Sequence, residues 1–188
     1  MKYVMSFLLA SAALLPLAAT AHATDLAPNI PSEVSTTSGI YVRGDFGASW
    51  LNWGSANNNL AWVGDVGIGY QVDSNWRTDL TYARSGDYIL APGATLSTST
   101  IMANVYYDWR NSTPLTPYVG VGAGYGWQNN TGGGAFNASG IALGLKAGVS
   151  FDITNNLALD VGYRFNDILV SGQNTPEHQV AAGLRIRF

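Results

Sequence analysis

Beyond residue 23 the chain carries one histidine, His178. A catalytic or metal-binding imidazole needs company, either further ligands or a hydroxyl and a carboxylate. The chain has no cysteine, so disulfides, Cys-bearing zinc sites, iron–sulfur clusters and thiol nucleophiles are excluded. Carboxylates remain as candidates for acid–base work. Asp45, Asp65, Asp79, Asp108 and Asp160 are nearly matched by Arg43, Arg77, Lys146, Arg164, Arg185 and Arg187, which makes ion pairing the simpler role. Arg43-Gly44-Asp45 spells a tripeptide that integrins read on exposed loop tips, but here it falls inside an alternating segment. The run Gly120-Val121-Gly122-Ala123-Gly124-Tyr125-Gly126 has glycine at every second position. A phosphate cradle instead needs G-x-G-x-x-G between a strand and a helix. No catalytic residue, metal site or cofactor is expected from these patterns.

The elements that hold these residues alternate with period two from Gly39 to the end, the signature of strands with one apolar face. Ile40, Val42, Phe46, Ala48 and Trp50 share one face of the first segment, opposite Tyr41, Arg43, Asp45 and Gly47. Seven more segments follow, from Leu60, Trp76, Ile101, Val119, Ile141, Leu157 and Val180. Their apolar faces carry no charge, and the eleven charged residues named above all lie on the opposite faces. A soluble barrel would spread many lysines and glutamates over its outside. This chain has Lys146, Glu33 and Glu177 alone of those types after residue 23. The expected fold is therefore all-β: an eight-stranded antiparallel up-and-down transmembrane barrel over 39–188, apolar outside and ion-paired within.

Connector lengths alternate in the same sense. Asp73–Asn75, Arg110–Leu115 and Asp152–Asn156 are short; Leu51–Asn59, Gly86–Thr98, Gln128–Asn137 and Asn166–Pro176 are longer and polar. Outer-membrane barrels pair short periplasmic turns with longer external loops, which would leave both termini periplasmic. Aromatic residues sort into two levels: Trp76, Trp109, Phe151 and Phe188 near the short turns, Trp50, Trp62 and Trp127 near the long loops. Two interfacial belts are the expectation.

Residues 1–23 have the parts of an export signal: Lys2, an apolar run from Val4 to Ala19, and Ala21-His22-Ala23 as a small-x-small cleavage site. Residues 24–38 hold prolines and small polar residues and are expected to form a flexible periplasmic lead-in. Charged residues make up 11% of the chain and its net charge is −3, so nucleic acid is not an expected partner.

The segments YVRGDFGASW, WVGDVGIGYQVDSNWRTDLTYARSGDY, MANVYYDW, TPYVGVGAGYGW, GLKAGVSFDITNNLALDVGYRFND and HQVAAGLRIRF, in this order behind an export signal, resemble the small eight-stranded outer-membrane proteins of Gram-negative bacteria. The likeness is to the opacity-antigen and alphaproteobacterial surface-antigen type. It implies an outer-membrane location, with lipid and lipopolysaccharide as surroundings. It also implies that the final strand ending in Phe188 is read by the barrel-assembly machinery. Members are structural proteins, adhesins, haem binders or small porins. Larger relatives add a peptidoglycan-binding domain after the barrel, a role not carried over to a sequence ending at Phe188. Lipid-modifying deacylase barrels place a serine two positions after their histidine; Val180 stands there, so an enzyme is not expected. The sequence places no aromatic cage beside His178 for haem. The leading expectation is a non-enzymatic structural or surface protein with a largely plugged lumen. The alternatives are a small channel, or loops that bind haem, sugar or a host ligand.

Overall fold

The computed structural model describes residues 39–51, 60–131, 138–170 and 174–188. The expected export signal (1–23) and lead-in (24–38) lie outside the described residues, as do parts of three long connectors. Period-two segments become strands β1 (Gly39–Leu51), β2 (Leu60–Gln71), β3 (Trp76–Ser85), β4 (Tyr88–Ala91), β5 (Ala94–Asp108), β6 (Leu115–Thr131), β7 (Ala138–Asp152), β8 (Leu157–Leu169) and β9 (Thr175–Arg187).

All pairings are antiparallel, and β1 pairs with both β2 and β9. Since β3 pairs with β5, eight long staves close into a barrel and β4 is a short extra ladder on β5. Closure leaves no long strand edge unpaired, the condition for a strand structure in hydrocarbon. The outer wall exposes Ile40, Phe46, Val66, Ile68, Leu80, Val121, Leu145 and Val161, while Tyr41, Arg77, Tyr106, Asp108 and Arg185 are buried inside. The apolar face is thus outward and the polar face inward, the reverse of a soluble barrel.

At the turn end the short connectors are tied by side chains. Asp73 Oδ1 accepts from the backbone N–H of Asn75 at 2.7 Å and of Trp76 at 2.8 Å. Thr154 Oγ1 accepts from the N–H of Leu157 at 3.0 Å.

At the other end the strands run further than hydropathy implies. Gly86–Thr98, expected as a loop, contains β4 and the start of β5, joined by Pro92-Gly93. Gly93 has φ 79°, a left-handed conformation that glycine adopts without a Cβ penalty. Leu51, Gln128–Thr131, Asn166–Leu169 and Thr175–Pro176 are likewise strand. Hydrophobic alternation marks only where side chains face an apolar medium, whereas backbone pairing continues with Thr, Ser, Asn and Gln on the ladder. Tyr88 from this hairpin packs inward against Leu51 and Leu96, forming an apolar cluster over the barrel's long-connector end.

Candidate functional site

The lumen holds two linked clusters of charge. In the middle, Arg43 pairs with Asp45 and donates through Nη1 to Asp79 Oδ2 at 3.3 Å and to the Tyr106 hydroxyl at 3.1 Å. Arg164 donates to Asp45 at 2.8 Å and also pairs with Asp65. Asp79 further accepts from the Tyr41 hydroxyl at 3.2 Å and from Asn104 Nδ2 at 2.7 Å.

Nearer the turn end, Arg77 Nε donates to Asp108 at 3.0 Å, and Nη1 stands 4.0 Å from Asp160. The Arg77 guanidinium lies 4.1 Å from the Tyr106 ring centre and 4.8 Å from that of Tyr118. Arg185 grips Asp160 with two bonds of 3.1 Å and donates to Ser150 Oγ at 2.8 Å. Arg77 and Arg185 are at most 1% exposed, so these charges are packed rather than solvated.

Two predicted lumen residues behave differently. Lys146 is buried and donates to the Tyr106 hydroxyl at 3.2 Å, yet among the described residues no carboxylate lies within 4.0 Å of it. Its register partner is another cation, Arg164. Arg187 shares the inward parity but lies beyond the last buried layer. It pairs at the turn-end rim with Asp152, which also takes Arg110 Nη1 at 3.4 Å. Partial burial holds the Arg110 guanidinium, in its turn, below the usual arginine range, against the opposing pull of Asp152.

One inward charge was missed by sequence reasoning. Glu177 is 4% exposed at the long-connector end, where it accepts from Gln179 Nε2 at 3.0 Å. Among the described residues no cation lies within 4.0 Å of it. Its parity with Gln179 and Arg185 was the available signal, hidden because it falls at the join between the expected loop, which ends at Pro176, and the apolar alternation that starts at Val180.

Inward glycines make room for the aromatic residues of this network. A Cβ at Gly120 would lie 2.5 Å from the Tyr106 ring, and one at Gly162 would lie 2.5 Å from the Tyr118 hydroxyl. The alternating glycine run is therefore a steric allowance, not a phosphate loop. Arg43 and Asp45 are buried within the barrel, so the tripeptide they form presents no loop tip.

The aromatic residues expected in the two belts lie outside, unlike the lumen tyrosines. Trp76, Tyr107 and Trp109 form an edge-to-face chain with ring centres 5.1 Å apart at the turn end. Phe151 and Phe188 are exposed at the same end, and the Phe188 N–H closes on Ile40 O at 3.0 Å. Toward the other end, Phe46 stacks with Trp62 at 6.3 Å and Tyr82 meets Trp127 at 6.2 Å. Trp50 stacks on His178 at 5.9 Å, Phe165 is 5.2 Å away, and the Tyr163 hydroxyl is 2.5 Å from Nδ1. Strand register thus builds the aromatic surround for His178 that sequence spacing did not show. Among the described residues the imidazole has no carboxylate or aliphatic hydroxyl partner, and no group of three metal-ligating side chains forms.

A family model described as outer membrane protein beta-barrel domain matches residues 7–188. An uncharacterized protein of Brucella suis is 29% identical, over 72% of this chain and 69% of its own. Outer membrane protein PagN of Salmonella typhimurium is 26% identical, over 70% of this chain and 75% of its own. The crystal structure of Neisserial surface protein A is 28% identical with a TM-score of 0.70, covering 80% of this chain and 98% of that one.

Proposed function

Because the chain belongs to the outer membrane protein beta-barrel domain family, we propose that it is a non-enzymatic, surface-exposed outer-membrane protein. Its barrel anchors the long connectors as a structural element, surface antigen or adhesin. In this reading the short turns and both termini face the periplasm and the long connectors face outward. The barrel-assembly machinery inserts the chain, and lipid and lipopolysaccharide surround it.

The observation that carries the reading is the inverted barrel with a packed interior. Its outer wall is apolar, while Arg77, Arg185, Tyr41 and Tyr106 fill the lumen at 1% exposure or less. Packed ion pairs support a plug over a channel, since eight staves enclose a space just wide enough for side chains to fill. The surroundings of His178 support an interfacial anchor over a catalytic base.

Bilayer recordings of the refolded protein test this reading, alongside membrane fractionation and heat-dependent gel mobility. The expected result is a heat-modifiable outer-membrane protein without large, stable conductance steps. Large stable steps would replace the plug with a pore.

A further inference from the structure

Arg84 is the one cation on the outward face of the described staves. It lies on the exposed side of β3, in line with Trp76, Leu80 and Tyr82, near the long-connector end. Among the described residues no carboxylate lies within 4.0 Å of it, including Asp87 three positions on. The connector stretches 52–59, 132–137 and 171–173 contain no acidic residue either; Asp25 and Glu33 belong to the lead-in, which the proposed orientation puts on the periplasmic side. A cation facing lipid costs little near the interface and more at the midplane, so its height suits it to a headgroup region.

The wall beside Arg84 is notched. Its register partner on β2 is Gly64, and Gly44 on β1 pairs with Val66. These are the two outward-facing glycines of the described strands. Crowding does not demand them: a Cβ at either would come no closer than 3.8 Å to any neighbour. The space above Gly64, about 300 Å³, is lined by Val66 and Tyr82 and by Asp45 and Asp65, whose carboxylates are buried and paired with Arg164 in the lumen. Trp62 lies two residues from Gly64 on the same face, and Ser99, opposite Arg84, pairs onward with Trp127. A guanidinium, an apolar slot and aromatic faces therefore occupy one patch.

We propose that this patch holds a phosphorylated glycolipid of the outer leaflet, with its phosphate on Arg84 and an acyl chain over Gly44 and Gly64. The assignment rests on the outer-membrane reading with the long connectors outside. A guanidinium suits the site because it offers phosphate two parallel donors.

The test uses the full chain in phosphatidylcholine vesicles doped with lipid A or with the same lipid enzymatically dephosphorylated. Lipid retained on the re-extracted barrel is quantified by mass spectrometry. Wild type should retain the phosphorylated form about tenfold better, as a charge-assisted hydrogen bond implies. Arg84→Ala should abolish that preference and Arg84→Lys should keep part of it. Gly64→Leu, which fills the slot, should lower retention of both lipids while heat-dependent mobility stays normal. Equal retention of both lipids by a properly inserted wild type, or an unchanged preference in Arg84→Ala, overturns the site. A wild type that fails to insert overturns the outer-membrane reading itself, and this site with it.

Discussion

Removing the Arg77 side chain tests whether the lumen is a dry, paired interior. Asp108 is 1% exposed, and Arg77 is the one cation within 4.0 Å of it among the described residues. Asp160 would keep Arg185 through its two 3.1 Å bonds, so Arg77→Met strands one buried carboxylate rather than two. Breaking a buried pair by removing one partner costs about 3–5 kcal/mol. Losing the stacking on Tyr106 and Tyr118 puts the expectation in the upper half of that range. In Arg77→Met/Asp108→Leu both charges are gone, and well-packed apolar replacements of a buried pair are often neutral. The double variant should therefore be more stable than Arg77→Met alone. Urea unfolding in neutral vesicles, followed by tryptophan fluorescence and gel mobility without heating, gives the cycle. A single-variant cost below about 1 kcal/mol, or two costs that simply add, would mean that water screens these charges. The plugged lumen would then be refuted.

Three further substitutions probe other layers of the barrel by the same unfolding assay. Val121→Arg puts a charge on an outward position 58% exposed near the middle of β6 and should cost about 2–4 kcal/mol; normal stability in lipid would reverse the facing assignment. Gly120→Ala drives a Cβ to 2.5 Å from the Tyr106 ring and should cost about 1–3 kcal/mol; no loss would mean that the ring is free to move. Lys146→Met removes a buried cation with no carboxylate partner and Arg164 as register neighbour, so it should be neutral or add about 1 kcal/mol. A large loss there would reveal a partner for Lys146 beyond the Tyr106 hydroxyl.

The staves were legible because a strand facing two media writes its facing into residue type at every second position. Arg43 and Asp45 on one side of β1, with Val42 and Phe46 on the other, state their orientation without any neighbour. Partners were not legible in the same way. Arg43 reaches Asp79 on β3, and Arg164 on β8 reaches Asp45 and Asp65 on β1 and β2. Such pairings depend on barrel closure and stagger, which no local pattern encodes. The same holds for His178, whose stacking partner Trp50 comes from the first stave through the β1–β9 seam. Strand ends failed for a different reason. Hydropathy reports the surrounding medium while hydrogen bonding follows backbone geometry, so β4 fell in a stretch that scanned as loop and Glu177 between the last expected loop and the last expected strand.

The distribution of charge separates what holds the barrel from what it can present. Ten of the charged side chains expected inside are buried in the lumen, and the rim pairs Arg187 and Arg110 with Asp152 at the turn end. Fold stability therefore draws its polar contribution from inside and from the turn end. The connector stretches 52–59, 132–137 and 171–173 hold no charged residue at all, so no ion pair of the scaffold depends on their side chains. Substitutions there can change recognition without breaking the network that closes the lumen. Arg84 belongs to neither set: it is exposed, it pairs with no carboxylate among the described residues, and it stands on the wall that faces the surrounding medium. A cation in that position adds nothing to the interior network. Among the described residues no carboxylate partners it, which is why the lipid beside the barrel is the place to look.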